Sequence, residues 1–212
     1  MNISVVLSGG VGVRFGGNIP KQYRQICGKE IIKYVVEALS QHKIIIAAEK
    51  KDCERLAKEF SADVVHSGRS HNHTVKNALD YIKEHYPRCK KVLFADSCRP
   101  FISSVQVNEY YELLDDYSAV FTAKRITDSL GQDGQMYVER SPYFLIQKPE
   151  AFIFDDIYKN FHASSHTTAI VQQMPSDMKI KKYFVTGMNL KITYPEDLPL
   201  AEVLIKIQQE GV

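Results

Sequence analysis

Ser8-Gly9-Gly10-Val11-Gly12-Val13-Arg14-Phe15-Gly16-Gly17-Asn18-Ile19-Pro20-Lys21-Gln22-Tyr23 follows a short apolar run, residues 3–7, that has the pattern of a strand buried in a parallel sheet. The glycines let the backbone turn sharply and keep Cβ atoms away from a ligand. Successive free N–H groups in such a loop form an anion-binding concavity, and Arg14 and Lys21 add two full positive charges beside it. Compact backbone, aimed N–H groups and paired cations predict a polyphosphate site. The plainer alternative is a glycine-rich surface turn with two solvated cations. Two familiar phosphate loops do not fit. Gly10-Val11-Gly12 opens a dinucleotide fingerprint, but Phe15 stands where its third glycine belongs. Neither Gly16 nor Gly17 precedes the lysine that a Walker loop requires.

Outward from this loop, strand and helix patterns alternate. Helices are predicted over residues 30–41, 52–60 and 73–86, and from a cap at Ser103 or Ser104 to 117. Strands are predicted over 43–48, 62–66, 90–95 and 119–123. That rhythm predicts an α/β fold with a Rossmann-like, doubly wound and mostly parallel sheet, as one domain over 1–212. Residues 124–143 break the rhythm. Gly131, Gly134 and the alternation in Met136-Tyr137-Val138 predict a protruding β-arm, too poor in core to be ordered without a partner surface. A helix over 155–161, strands over 179–185 and 190–193, and a last helix opened by Pro195 and running to about 209 complete the chain.

The composition excludes several classes. A formal charge of +2 predicts no strong attraction to nucleic acid or membrane, and no apolar run approaches a membrane span. Cys27, Cys53, Cys89 and Cys98 form no C-x-x-C pair, and four free thiols fit a reducing cytoplasm with no signal peptide.

Three further stretches carry candidate chemistry. Asp96 stands at the carboxyl end of its strand, the sheet edge where ligands of open α/β folds lie, and a lone carboxylate beside a triphosphate is a natural Mg²⁺ ligand. The alternative is a cap or a weak Asp96–Arg99 surface pair. In Gly68-Arg69-Ser70-His71-Asn72-His73-Thr74, a glycine and a hydroxyl at a helix start can meet a base edge, while His71 and His73 lack a visible third metal ligand. In Asn189-Leu190-Lys191-Ile192-Thr193, alternation sends Lys191 to the face away from Leu190 and Ile192. A lysine in such a setting needs a counter-charge, which a phosphate would supply.

The G-G-x-G-x-R loop with Pro20-Lys21-Gln22 resembles the signature loop of sugar-nucleotide pyrophosphorylases and cytidylyltransferases. Together with Asp96-Ser97-Cys98-Arg99-Pro100-Phe101, Thr127-Asp128-Ser129, Arg140 and Asn189–Leu198, it closely resembles the cytidylyltransferases acting on 2-C-methylerythritol 4-phosphate and ribitol 5-phosphate, over nearly the whole chain. The resemblance implies a nucleotide-diphospho-sugar transferase type of fold. It implies triphosphate contacts from Arg14, Lys21 and Lys191, with Ser8, Gly9, Gly10, Gly12, Gly68, Thr74 and Asp96 around CTP. Asp96 is the implied metal ligand, for Mg²⁺. The arm is expected to exchange with a second subunit in a homodimer and to bring Ser129 and Arg140 to a polyol phosphate.

The acceptor half departs from the pattern. The family's Gln-Thr-Pro-Gln is Gln147-Lys148-Pro149-Glu150, and its Thr-Asp-Glu/Asp-Ala is His166-Thr167-Thr168-Ala169; an arginine is replaced by His71. Lys148 and His166 are therefore the remaining acceptor-binding candidates. These changes predict a more positive acceptor pocket, a raised pKa at His166 beside a phosphate, and an acceptor carrying an additional anionic group. The implied activity is transfer of CMP from CTP to a phosphorylated polyol, of ribitol type on the strength of Asp96-Ser97 before Cys98-Arg99. Methylerythritol phosphate as acceptor, and a non-catalytic nucleotide-binding protein, are the alternatives.

Overall fold

The computed structural model describes residues 1–210 except Val11, Val13, Arg14, Asn18 and Thr186. Seven strands form one sheet in the order β11-β7-β10-β6-β1-β4-β5. These are β1 (Asn2–Ser8), β4 (Lys43–Ala48), β5 (Asp63–His66), β6 (Lys91–Asp96), β7 (Ala119–Arg125), β10 (Phe144–Ile153) and β11 (Ile180–Phe184). β1 pairs in parallel with β4 and β6, β4 with β5, and β7 with β11. Only β10 runs against its neighbours in this sheet, antiparallel to both β6 and β7.

Alternate residues of β1 serve two cores. Ile3, Val5 and Leu7 face α3 (His71–His85) and α5 (Phe154–Asn160), whose buried Val75, Leu79, Ile82 and Ile157 cover that side. Val6 faces α1 (Ile31–Ala38), α2 (Cys53–Phe60) and α4 (Ser104–Leu113) through Ile32, Val35, Leu56 and Val107. Helices on both faces explain why the central strands are apolar runs rather than alternating ones. A third cluster ties Ala201 and Ile205 of α6 (Asp197–Glu210) to Phe15, Phe101 and Ile192, so the last helix packs beside the two ligand-facing loops.

Several expected boundaries move. α1 begins after a small hairpin, β2 (Gln25–Ile26) with β3 (Lys29–Glu30), turned at Cys27 and Gly28 with positive φ. α3 starts two residues early because Ser70 caps it, its Oγ accepting from the N–H of His73 at 3.3 Å. Ser103 caps α4 in the same way, but that helix stops at Leu113, four residues short of the expected end. α6 begins at Asp197 rather than Pro195, and the Asp197 carboxylate accepts from the N–H groups of Thr193 and Tyr194.

Two strand assignments are corrected. Residues 190–193 form no strand despite their alternation. The N–H of Ile192 makes a single bond to the Cys98 carbonyl at 2.9 Å, while the N–H of Thr193 goes to the Asp197 carboxylate and its hydroxyl to the Lys191 carbonyl. The ten-residue β10, by contrast, has no counterpart in the sequence reading. The arm forms its hairpin, β8 (Leu130–Gln132) with β9 (Gln135–Val138), turned at Gly134.

Candidate functional site

β1 lies between β4 and β6, so the chain leaves its first strand in one direction and later returns on the other side. Ligands of open α/β sheets lie in the crevice that such a reversal opens at the strands' carboxyl ends. Here the N–H of Ser97 donates to the carbonyl of Leu7 at 3.1 Å and holds the two strand ends together. Above them opens a cleft of about 610 Å³, walled by Gly9, Gly10 and Lys21 from the first loop, Gly68 and Thr74 from the start of α3, and Asp96 with Lys191.

Close backbone approach explains two of these glycines. A Cβ on Gly9 would lie 2.2 Å from the Cβ of Ser67, and one on Gly68 would lie 2.4 Å from that of His73. Gln22, buried beneath the loop, donates from Nε2 to the carbonyls of Ser8 at 2.9 Å and Gly10 at 3.2 Å. Lys21 crosses the cleft, donating from Nζ to the carbonyl of Ile192 at 2.8 Å.

Asp96 is the electrostatic centre. Its Oδ2 meets Lys191 Nζ at 2.9 Å and Arg99 Nε at 3.2 Å, and Arg99 is itself tied to the carbonyl of Asn189 at 2.7 Å. Burial alone would push the Asp96 carboxyl up. The ammonium of Lys191, the guanidinium of Arg99 and the ammonium of Lys148 more than offset it and hold the group well below the usual carboxylate range. Asp96 and Arg99 are both buried, so the weak surface pair is excluded as a description.

A second, smaller cleft of about 260 Å³ adjoins the first and shares His71, Asp96 and Lys191 with it. Gln147, Lys148 and Thr168 line its far side. Burial, then the neighbouring Lys148 charge, hold the His71 imidazole below its ordinary pKa, against the opposing influence of Asn72, Asp96 and Glu150.

The clefts thus bring together Gly9, Gly10, Lys21, Gly68, Thr74, Asp96, Lys148 and Lys191. Ser8 is buried and Gly12 sits in the loop's own turn, both off the cleft walls, while Arg14 lies outside the described residues. The Gly68 N–H donates to Thr74 Oγ1 at 3.0 Å, and the Thr74 hydroxyl donates in turn to the Ser70 carbonyl at 3.0 Å. Ser129 and Arg140 lie exposed at the base of the arm, away from both clefts, with Arg140 donating to the Thr127 carbonyl. His166 is exposed and lines neither cleft, whereas Thr168 does. The expected gain of positive charge is not met at Lys148, whose ammonium contacts the buried carboxylate of Glu150. Sequence reasoning left His71, Arg99 and Glu150 without a role in binding. The opposite charges at 148 and 150, two residues apart, were the available signal for that pair.

No group of three or more His, Cys, Asp or Glu among the described residues could hold a metal ion. His73 is engaged by Ser70 and Arg69, and His71 by Asn72. No helix among the described residues is long and apolar enough to cross a membrane, and all four cysteines are free.

Comparison with known proteins identifies the family. The family model described as IspD, 2-C-methyl-D-erythritol 4-phosphate cytidylyltransferase, matches residues 2–207. The chain is similar to the enzyme of that name from Phocaeicola vulgatus, 30% identical over 222 residues that cover 95% of this chain and 98% of the relative. It is also similar to the bifunctional ribulose 5-phosphate reductase/CDP-ribitol pyrophosphorylase Bcs1 of Haemophilus influenzae. That match is 25% identical and covers 97% of this chain but 48% of the longer protein. In fold it resembles the crystal structure of 4-diphosphocytidyl-2C-methyl-D-erythritol synthase from Anaerococcus prevotii, with a TM-score of 0.79 at 22% identity, covering 97% of this chain and 98% of that one. The chain therefore belongs to the 2-C-methyl-D-erythritol 4-phosphate cytidylyltransferase (IspD) family and is a CTP-dependent cytidylyltransferase.

Proposed function

We infer that this protein transfers CMP from CTP to the phosphate of a ribitol 5-phosphate-like polyol phosphate, giving a CDP-alditol and pyrophosphate. The observation that carries this reading is the pair of clefts meeting at Asp96 and Lys191. The larger takes CTP: the loop from Gly9 to Lys21 receives the triphosphate, and Gly68 and Thr74 face the cytosine. The smaller takes the acceptor, with Lys148 and Thr168 on its wall. An acceptor phosphate oxygen attacks the α-phosphorus in line; a new P–O bond forms as the α–β bridging bond breaks, and its electrons leave with pyrophosphate. The attacking oxygen is already anionic, so no general base is required. Catalysis rests on orientation and on neutralising crowded charge, the work assigned to Lys21 and Lys191. The arm of a second copy brings Ser129 and Arg140 to the acceptor in a homodimer.

Asp96 fits Mg²⁺ in one specific way. It is a carboxylate on the wall of both clefts, and a single carboxylate is enough where phosphate oxygens and water complete the shell. Bound there, Mg²⁺ would neutralise phosphate charge.

Family membership and the Phocaeicola vulgatus relative favour a second reading, in which 2-C-methylerythritol 4-phosphate is the acceptor. Similarity to the CDP-ribitol pyrophosphorylase and the polar wall of the smaller cleft favour the first. Pyrophosphate release from CTP, measured across a panel of polyol and sugar phosphates, separates them. The highest kcat/KM is expected with ribitol 5-phosphate. A higher value with methylerythritol phosphate installs the second reading, and release with no acceptor in the panel overturns both.

A further inference from the structure

Where β10 loses its regular ladder, it buries two opposite charges. Its register against β7 shifts between Gln147 and Glu150, and Pro149, with no N–H to give, occupies the irregular step. A bulge of this kind re-aims the side chains around it. Lys148 and Glu150 are 6% and 0% exposed, and their ammonium and carboxylate are in contact. Glu150 also accepts the N–H groups of Ile170 at 3.1 Å and Val171 at 3.2 Å, at the start of the turn that follows Thr168 and Ala169 on the cleft wall. Fully buried, its carboxylate is committed to the protein, to Lys148 and to these two N–H groups.

Lys148 differs from its partner. An ammonium has three donors, and Glu150 is its one hydrogen-bond acceptor among the described residues, while the side chain lines the smaller cleft. A desolvated ammonium held by one carboxylate and facing a cleft favours a ligand rich in lone pairs. A methyl group seated there would cover the remaining donors and satisfy none of them. The rest of the wall agrees, since only Ile146 and Ala169 offer apolar side chains on it.

We propose that Lys148 and Glu150 act as one unit that selects the acceptor. Lys148 donates to a hydroxyl of an unbranched, fully hydroxylated alditol phosphate. Glu150 is the positioning residue that fixes both Lys148 and the 168–171 wall. The inference rests on the smaller cleft being the acceptor site, and it names the class that the site prefers over methyl-branched polyol phosphates.

The test compares wild type with Lys148→Thr, Glu150→Gln and the double variant. The readouts are Tm, KM for CTP, and kcat/KM for ribitol 5-phosphate and for 2-C-methylerythritol 4-phosphate. Each single change strands one buried charge and is expected to lower Tm by about ten degrees; the double variant removes both charges and recovers most of that loss. In the double variant kcat/KM for ribitol 5-phosphate falls about ten- to a hundredfold, the scale for losing a hydrogen bond from a charged group. The value for methylerythritol phosphate falls less or rises, and KM for CTP stays within about twofold because the nucleotide cleft is untouched. A purely structural pair would restore Tm in the double variant without moving the ratio between acceptors, and an unchanged ratio in an active, folded double variant overturns the selection role alone. A wild type that turns over neither acceptor overturns the acceptor-site reading and the selection role with it.

Discussion

Lys21 reaches from the glycine loop across the cleft to the carbonyl of Ile192, which places its ammonium on the wall that would receive a triphosphate. Since the charge it faces grows as the α–β bond breaks, Lys21→Ala should lower kcat by about a hundredfold or more, the scale for one preorganised electrostatic contact. Far-UV circular dichroism should not change, and near-normal turnover would remove Lys21 from the site. Asp96 supports a different expectation. It balances Lys191 and Arg99 and is the carboxylate that both clefts share. Asp96→Asn keeps the shape but removes the charge available to Mg²⁺, so activity should fall sharply and the Mg²⁺ concentration for half-maximal rate should rise. A wild-type reaction that a chelator leaves untouched would refute the metal role.

Among the described residues the hairpin of β8 and β9 pairs with no other strand, and Met136 and Tyr137 on β9 are exposed. An isolated two-stranded ribbon is marginal in water, so its apolar side chains call for a covering surface. In the proposed homodimer a second copy of this chain would supply one by symmetry, each arm lying on its partner. Deleting residues 132–138 should convert a dimer to a monomer in light scattering. It should also weaken the acceptor KM, because Ser129 and Arg140 would lose their placement. A wild-type protein that is monomeric at micromolar concentration refutes the exchange and any role for Arg140 across subunits. The core of each monomer, built from β1, β4, β6 and the helices on both faces, does not depend on the arm.

Most of that core was legible in the sequence because strands buried on both faces are short apolar runs closed by a glycine, an aspartate or a helix cap, as β1 and β6 are. β10 was not, because Lys148-Pro149-Glu150 interrupts its apolar pattern and only its neighbours β6 and β7 make the strand. Residues 190–193 erred the other way: alternation suggested a ladder, but the Cys98 carbonyl and the Asp197 carboxylate take the N–H groups that a ladder would have used. The positions of Lys21, Gly68, Asp96 and Lys191 could be anticipated, whereas the pairing of Lys148 with Glu150 required knowing which side of a bulge each faces. His71 lies between the clefts for the same tertiary reason, and it couples the site to the stability of the whole molecule. Its imidazole faces Lys148 and Glu150 from β10, Asp96 from β6 and Asn72 on its own helix, and burial with the Lys148 charge lowers its pKa below 6.5. In the window between that depressed value and the ordinary one, the unfolded chain binds a proton that the folded protein does not. Stability therefore rises with pH through the window and is lost as pH falls through the folded pKa. The Asp96 carboxyl, also depressed, adds a loss only in much stronger acid. Thermal melts of the unliganded protein between pH 7.5 and 5, pH values chosen to span about the ordinary histidine pKa, should show Tm falling with acidification, and His71→Asn should flatten part of that slope. Parallel slopes for wild type and variant would mean that His71 does not stay neutral in the folded protein over this range.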